Sequence, residues 1–456
     1  METQFKEQGG AATMDPGVIL RWLTSRLMSH VSRPGRRERT RRKAERARAK
    51  AGDRHRVEYF HQVGDGYSHL AAQVLKKLAS RYDIELICHL VSGPSGNNSP
   101  EPDLLLQLSR YDAQKVASEY GLTFPSHPEA PDPALISLAE SVLAAQSSAE
   151  FAEHAEAVGS ALWAGDKAAL LQCAEQRGQA DTHSVRQYIA SGDERLRALK
   201  HYSSAMFYYA GEWYWGVDRL YHLERRLREL GVDRDTSSAP LVPRPVETGK
   251  LRDNGSLTLE FFPSMRSPYT AISFDRTVQL ARDTGVNLVV RPVLPMVMRG
   301  VPATRQKGMY IFSDTAREAA AAGVPFGNFY DPIGDPVRKG YSLYQWACEQ
   351  GRGNEFFSAF LRCAFALGVN LNRPKGLQQA VEMAGLSWGA AQHHTDDQSW
   401  EGLLEANRRT MYEAGLWGVP SFRLTDKKGK ECLAIWGQDR LWLVAREIQR
   451  QLSAIE

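Results

Sequence analysis

The sequence predicts an α/β protein made of two copies of one domain, each with a helical insertion, behind a basic N-terminal arm. Three observations lead to this fold class: similar segments recur in the same order, each copy opens with a strand–helix–strand pattern, and each closes with a hairpin and a helix. The 456 residues exceed one ordinary hydrophobic core, so two domains are expected. A hydrophobic fraction of 43% and a charged fraction of 24% are typical of globular proteins.

The repeat is visible at both ends of the copies. Residues 57–60 (VEYF) match 259–262 (LEFF), and Tyr67 matches Tyr269 at the same offset of 202 residues (259 − 57 and 269 − 67). Near the other ends, residues 205–207 (AMF) match 420–422 (PSF), and 215–220 (WGVDRL) match 436–441 (WGQDRL). Two matched ends in the same order predict a tandem duplication.

This repeat sets the expected domain boundaries. They are an arm at 1–56, a first domain at 57–234, a Pro-rich linker at 235–254 and a second domain at 255–456. Within each copy the opening strand is followed by a turn, a helix and a second strand, at 84–88 and 286–291. A helical middle and a final hairpin with a helix complete the order of a thioredoxin-like fold with a helical insertion.

The N-terminal arm has two parts. An apolar-periodic patch (Ile19, Leu20, Trp22, Leu23, Leu27) precedes a basic run at 36–50. One interpretation is contact with an acidic surface such as a membrane or RNA, and the other is a solvated helix or disordered extension. No base-stacking aromatics accompany the basic run and the net charge is only +4, so we expect no specific nucleic acid and favour the second interpretation.

The cysteines indicate a reducing compartment. The five cysteines are scattered and form no Cys-x-x-Cys pair: Cys88, Cys173, Cys348, Cys363 and Cys432. No apolar run reaches the ~18 residues that would cross a bilayer, so we predict a cytoplasmic protein. His393-His394 and Asp396-Asp397 lack a ligand spacing that would face one metal, so we predict no metal site.

The second copy resembles a known family. It is similar to the DsbA-like proteins of the 2-hydroxychromene-2-carboxylate isomerase and kappa-class glutathione transferase group. The segments that carry the resemblance are 261–262 leading to 267–269 (SPY), 307–310 (KGMY) with Asp314 and Arg317, 322–326 (AGVPF), 418–422 (GVPSF) and 436–441. The resemblance implies two thioredoxin-like (DsbA-like) domains, the first only faintly similar, and glutathione as cofactor.

Ser267 is the candidate catalytic residue. Ser before Pro at a strand-to-helix turn is a good N-cap, and a helix N-terminus also favours an anion. The resemblance implies that Ser267 donates a hydrogen bond to the glutathione sulfur and favours the thiolate. Ser267 and Thr270 occupy the two positions where disulfide oxidoreductases of this fold carry cysteines, so dithiol exchange through this motif is not expected.

The resemblance implies further glutathione ligands. Lys307 would meet the glycyl carboxylate, and Val419-Pro420, with a cis proline, would offer backbone groups to a peptide-like ligand. Gln438 and Asp439 would receive the γ-glutamyl carboxylate and ammonium groups. The Asp-Arg pair recurs at 218–219 in the first copy, which favours a structural role and weakens Asp439 as a ligand. The loop at 298–305 departs from the family pattern.

The first copy has lost the site. It carries Asp65 opposite Ser267 and Ala205 opposite Pro420, so we predict a non-catalytic domain that supplies an interface, through intramolecular domain pairing or in a homodimer. By resemblance, the second copy is expected to be a glutathione-dependent isomerase of an electrophilic aromatic or unsaturated small molecule. A kappa-type glutathione transferase and a non-catalytic binding or scaffold protein are the alternatives.

Overall fold

The computed structural model describes residues 15–247, 249–301 and 303–454. The chain forms two compact units. One comprises Glu38–Pro245, and the other comprises Val246–Glu456 together with the N-terminal segment up to Arg37. The predicted arm is thus divided between the two units, and its residues 1–14 lie outside the described part of the chain.

Two helices open the described chain, α1 (Val18–Ser32) and α2 (Pro34–Ala51). α1 lies within the unit that contains Val246–Glu456, whereas α2 has no buried residue. Among the described residues, no helix is both long and apolar enough to cross a membrane.

The unit Glu38–Pro245 contains a four-stranded sheet in the order β2-β1-β3-β4. β1 and β2 are parallel, whereas β3 is antiparallel to both β1 and β4. Its elements after α2 are β1 (Arg56–His61), α3 (Gly66–Arg81), β2 (Glu85–Leu90), α4 (Pro102–Ala117), α5 (Pro133–Ala144), α6 (Ser148–Trp163), α7 (Lys167–Arg177), α8 (Thr182–Ala198), β3 (Met206–Tyr209), β4 (Glu212–Trp215) and α9 (Leu220–Glu229).

The second unit repeats this topology with the order β6-β5-β7-β8. β5 and β6 are parallel, and β7 is antiparallel to both β5 and β8. Its elements are β5 (Leu257–Phe262), α10 (Pro268–Thr284), β6 (Asn287–Val290), α11 (Arg305–Ala322), α12 (Asp335–Glu349), α13 (Gly353–Arg362), α14 (Pro374–Met383), α15 (Trp388–Ala391), α16 (Trp400–Glu413), β7 (Ser421–Asp426), β8 (Glu431–Trp436) and α17 (Leu441–Ser453).

Both units are therefore thioredoxin-like. The helical insertion lies between β2 and β3 in the first unit and between β6 and β7 in the second. This confirms the predicted fold class. The central strands β1 and β5 are almost entirely buried, because each sheet is covered on both faces. The repeat extends to single contacts: the Tyr67 hydroxyl donates to Asp112 at 2.9 Å, and that of Tyr269 donates to Asp314 at 2.8 Å.

These paired contacts predict equal effects of one substitution in the two copies. Tyr67→Phe and Tyr269→Phe should each lower the free energy of unfolding by about 1–2 kcal/mol, because each removes a donor to a buried carboxylate. Urea denaturation of the two variants would measure this. A loss in one variant alone would show that the two hydrogen bonds do not share one structural role.

The Pro-rich segment is anchored on both sides of the unit boundary. The buried carboxylate of Glu224 accepts hydrogen bonds from the amides of Leu241 (2.7 Å) and Val242 (3.0 Å). Beyond the boundary, the amides of Lys250 and Leu251 donate to Gln449 Oε1. Much of the predicted linker at 235–254 therefore packs against the unit on its own side.

Candidate functional site

Ser267 lies at the turn between β5 and α10. It is the N-cap of α10, and its Oγ accepts a hydrogen bond from the Thr270 amide at 3.1 Å. The turn itself is held by the Ser267 amide donating to Ser264 O (3.1 Å), and by the Ser264 amide donating to Thr270 Oγ1 (3.2 Å). The hydroxyl is therefore placed at the positive end of the helix dipole.

A buried tyrosine fixes the same turn from the helical insertion. The Tyr341 hydroxyl accepts from the Met265 amide at 3.1 Å and donates to Val293 O at 2.9 Å. Burial raises the pKa of Tyr341 to about 12, so the hydroxyl keeps its proton at neutral pH. No local sequence pattern around Tyr341 predicts this role, because its partner lies 76 residues away in the chain.

The positive charge of Arg266, next to Ser267, is neutralised by the carboxylate of Asp331. Arg266 makes a bidentate ion pair with Asp331, with both N–O distances at 3.0 Å. Asp331 is buried, and its amide donates to Ser25 Oγ of α1 at 2.9 Å. Helix α1 therefore contacts the segment that orients Arg266, one residue before the candidate catalytic serine.

Val419 and Pro420 lie directly beside Ser267. The peptide bond between them is cis, as the resemblance implied, and Ser267 Oγ lies 3.5 Å from Val419 O. Within the described part of the chain, the Val419 amide N–H donates no hydrogen bond. The preceding Gly418 packs against Trp436, since a Cβ at Gly418 would come within 2.4 Å of the indole. The structure thus places the Ser267 hydroxyl beside the backbone of Val419.

Lys307 lies in the first turn of α11, which is capped by Thr304. Its Nζ stands 5.4 Å from the ring centroid of Trp417, two residues before Val419. Burial lowers the pKa of Lys307 to about 8. A Lys desolvated in this way binds an anion more readily than a fully hydrated one. In the sequence, Thr304 is the signal for this helix start, because Thr is a good helix N-cap.

Gln438 is engaged inside the protein. Its side chain is buried, its amide nitrogen donates to Glu318 at 3.0 Å, and its amide oxygen accepts from Arg276 at 3.4 Å. As placed here, Gln438 does not offer its amide to a ligand, and its role as a glutathione ligand stays a prediction.

Asp439 retains a partly exposed side chain, at 17%. The next residue, Arg440, is buried and its guanidinium donates to the carbonyl of Asp439 at 3.1 Å. The equivalent Arg219 makes the same contact with Asp218 at 3.5 Å. This recurrence supports the structural role of the Asp-Arg pair, and Asp439 as a ligand stays a prediction.

The loop at 298–305 is anchored by its apolar side chains. Met298 and Val301 are buried, and a short 3₁₀ helix at Met296–Arg299 precedes Gly300, which has a positive φ of 77°. Pro302 lies outside the described residues. The departure from the family pattern in this loop therefore coincides with packing into the unit.

All five cysteines are free thiols: Cys88, Cys173, Cys348, Cys363 and Cys432. Burial raises the pKa of Cys88, Cys348, Cys363 and Cys432, that of Cys363 to about 11. The position of Thr270, where a second cysteine would stand, is fully buried. Among the described residues no His, Cys, Asp and Glu cluster could hold a metal ion, and His394 stacks on Trp346.

In the first copy, the positions equivalent to Ser267 and Pro420 carry Asp65 and Ala205. Asp65 caps α3 by accepting from the Ser68 amide at 2.9 Å, and burial raises the pKa of Asp65. Ala205, opposite Pro420, has a left-handed backbone with φ 55°. A carboxyl group buried at this helix N-terminus leaves no place for a thiolate.

A pocket of about 140 Å³ lies beside α10. It is lined by Ala271, Phe274 and Asp275 of α10, by Val324 and Pro325, and by residues of α13 and the segment after it, Ser358, Leu361, Arg362 and Phe365. Ala271 lies about 6 Å along the helix from Ser267. Six of the nine lining side chains are apolar, and the others include one carboxylate and one guanidinium.

A thioredoxin-like domain with a serine at the helix N-terminus and a cis proline beside it is the class defined by this fold and site. Residues 258–449 match the family model of the DSBA-like thioredoxin domain, which confirms the resemblance for the second copy. Among curated proteins, none matches the chain.

Several solved structures are similar to part of this chain. A 2-hydroxychromene-2-carboxylate isomerase is 18% identical over 44% of this chain and 99% of its own, with a TM-score of 0.36. The cytosolic disulfide reductase DsbM from Pseudomonas aeruginosa is 14% identical over 43% of this chain and 98% of its own, with a TM-score of 0.35. Its structure with GSH is 15% identical over the same shares, with a TM-score of 0.33.

Proposed function

We propose that the second domain is a glutathione-dependent isomerase, similar in type to 2-hydroxychromene-2-carboxylate isomerase, that acts on an electrophilic aromatic or unsaturated small molecule. The observation that carries the proposal is the approach of the Ser267 hydroxyl to Val419 at the N-terminus of α10. The Ser267 hydroxyl could donate a hydrogen bond to a thiolate, and the Val419 amide could donate one to the backbone of a peptide-like ligand.

The residues present fit glutathione. The Val419 N–H, which has no partner among the described residues, would pair with the peptide backbone of the tripeptide. The Ser267 hydroxyl would donate to the sulfur in place of its long contact with Val419 O. The half-buried ammonium of Lys307, over Trp417, would meet a carboxylate.

When bound, glutathione would supply a nucleophilic thiolate that adds to an unsaturated carbon and is later eliminated. Ser267 and the amide end of α10 would hold the negative charge on sulfur in both steps. The turn held by Tyr341 would keep the Ser267 hydroxyl in place throughout, so no reorganisation is needed at the moment of reaction. The pocket beside Ala271 would take the apolar part of the substrate.

A kappa-type glutathione transferase would use the same groups but release the adduct. Counting thiols separates the two, because transfer consumes one glutathione per product and isomerisation consumes none. Dithiol exchange at this motif is disfavoured because Ser267 and Thr270 stand at both cysteine positions. The free thiols accord with a reducing compartment such as the cytoplasm.

A non-catalytic binding protein is the second candidate. The observation that favours it is the engagement of Gln438 by Glu318 and Arg276, which withholds one predicted ligand group. Glutathione binding alone would not separate it from the isomerase, but a lowered thiol pKa in the complex would, since a scaffold has no need of a thiolate.

The role of Lys307 gives a direct test of glutathione binding. Its lowered pKa, about 8, means that the free ammonium loses its proton above that pH, whereas a bound carboxylate would favour the charged form. Binding should therefore take up a proton above pH 8, and the affinity should fall by up to about tenfold per pH unit there. Calorimetry with S-methylglutathione, which has no thiol to ionise, measures this slope.

The control is Lys307→Arg, which stays charged over the whole range. Its affinity profile should lack the decline due to Lys307, while the titration of the ligand's own amino group affects both proteins alike. Parallel profiles for the two proteins would remove Lys307 from the site. No binding to either protein would contradict glutathione as the cofactor.

A further inference from the structure

Helix α1 is attached to its unit by its polar face. Arg21, Ser25, Ser29 and Ser32 are its buried residues, spaced along one side of the helix. The Ser29 hydroxyl donates to Phe329 O at 2.9 Å and accepts from the Phe329 amide at 2.8 Å, and Ser25 accepts from the Asp331 amide. The Arg21 guanidinium donates to the carbonyls of Asp331 and Ile333. These hydrogen bonds fix the rotation of the helix.

The opposite face is apolar and exposed. Ile19, Leu23 and Leu27 follow one another at intervals of four residues with Leu20 beside them, and their exposed fractions are 76%, 52%, 46% and 57%. Val18 and Trp22 are exposed as well, with Arg26 placed over the Trp22 ring. Because the polar face is held by specific hydrogen bonds, the helix cannot turn this apolar stripe inward.

A strongly basic helix follows immediately. Only Arg33 separates α1 from α2, and α2 contains no buried residue. The cations of α2 that are exposed are Arg36, Arg39, Arg42, Lys43, Arg46 and Lys50. Along the chain, an exposed apolar stripe is thus followed directly by a dense run of exposed positive charge.

We propose that α1 docks on an anionic lipid bilayer with its apolar stripe in the headgroup boundary, and that the exposed cations of α2, which follows α1 in the chain, bind the acidic headgroups. Membrane-surface helices combine these two features, and the charge adds to the apolar term. A second copy of this chain fits less well, since pairing through α1 would bring two basic segments together. RNA would use the cations but would leave the aliphatic stripe without a partner.

Vesicle co-sedimentation of the full chain tests the proposal. The full chain should bind vesicles of equal parts phosphatidylglycerol and phosphatidylcholine at least about tenfold more tightly than vesicles of phosphatidylcholine alone. Binding should weaken between about 0.05 M and about 0.5 M salt, because salt screens the charged term. Ile19→Glu/Leu23→Glu should lose at least about tenfold in affinity, since both side chains would leave the apolar boundary.

The matched control is Leu106→Glu/Leu171→Glu, which adds the same charge at two other exposed leucines. It should bind as the wild type does, which separates the stripe from net charge. Arg39→Gln/Arg42→Gln/Arg46→Gln should weaken binding to anionic vesicles and reduce its salt dependence. Circular dichroism of each variant confirms the fold.

Three results would overturn the proposal. The first is wild-type protein that stays in the supernatant with anionic vesicles at low salt. The second is sedimentation of a dimer that Ile19→Glu/Leu23→Glu dissociates, without vesicle binding. The third is retention of polyuridylate that depends on the α2 cations, again without vesicle binding.

Discussion

Replacing Ser267 with alanine is expected to lower turnover of a glutathione-dependent reaction by about 10²-fold or more, the usual effect of removing one donor to a developing or held anion. The Ser267 hydroxyl is the side-chain donor at the N-terminus of α10, so its loss leaves only the helix dipole to favour the thiolate. The thiol pKa of bound glutathione should then rise towards its ordinary value of about 8.5. Titrating the thiolate absorbance of the complex measures this shift without knowledge of the substrate.

The control for Ser267→Ala must also remove a helix N-cap, so that both variants lose a similar amount of stability. Ser147 caps α6 in the first copy with its side chain accepting from the Glu150 amide, as Ser267 caps α10. Both serine-to-alanine variants should lose about 1 kcal/mol of stability, but only Ser267→Ala should change the thiol pKa. An unchanged thiol pKa in Ser267→Ala would mean that Ser267 is only a helix cap.

The sequence predicted the two sheets because their signals are local. The repeated segments around Tyr67 and Tyr269 carry the hydrophobic pattern of a strand, then a turn, then a helix, and such patterns need no distant partner. The meeting of Ser267 with Val419 follows from the same topology. Since β5 and β7 are neighbours, with Phe262 opposite Ser421, the turn after one strand and the loop before the other lie at the same edge.

The features that the sequence did not predict depend on long-range packing. Gln438 is held by Glu318, 120 residues away, and no local pattern shows that its amide will be used inside the protein. The periodicity at 19–27 correctly marked an apolar face on α1, but the helix buries Arg21 and its serines instead. It does so because the backbone at 329–333 offers amides and carbonyls that polar side chains can satisfy.

The same backbone contacts mean that loss of the Arg21 side chain should lower the stability of its unit substantially. Its side chain is 1% exposed and its guanidinium donates to the carbonyls of Asp331 and Ile333, with Asp15 as its ionic partner. Arg21→Ala removes these donors and leaves a void, so the free energy of unfolding of this unit should fall by about 2–4 kcal/mol. Denaturant titration with the full chain would measure the loss.

The effect of Arg21→Ala should also reach the site, because Asp331 pairs with Arg266 next to Ser267. Glutathione should bind more weakly to this variant even where it remains folded. Arg26→Ala is the matched control on the same helix, since the exposed Arg26 lies over the Trp22 ring at 5.2 Å and makes no hydrogen bond or ion pair within the described chain. Its loss should change stability by no more than about 0.5 kcal/mol. If Arg21→Ala and Arg26→Ala lost equal stability, the buried polar face would not be what holds α1 on its unit. The hydrogen bonds of that face would then not explain why the apolar stripe points outward.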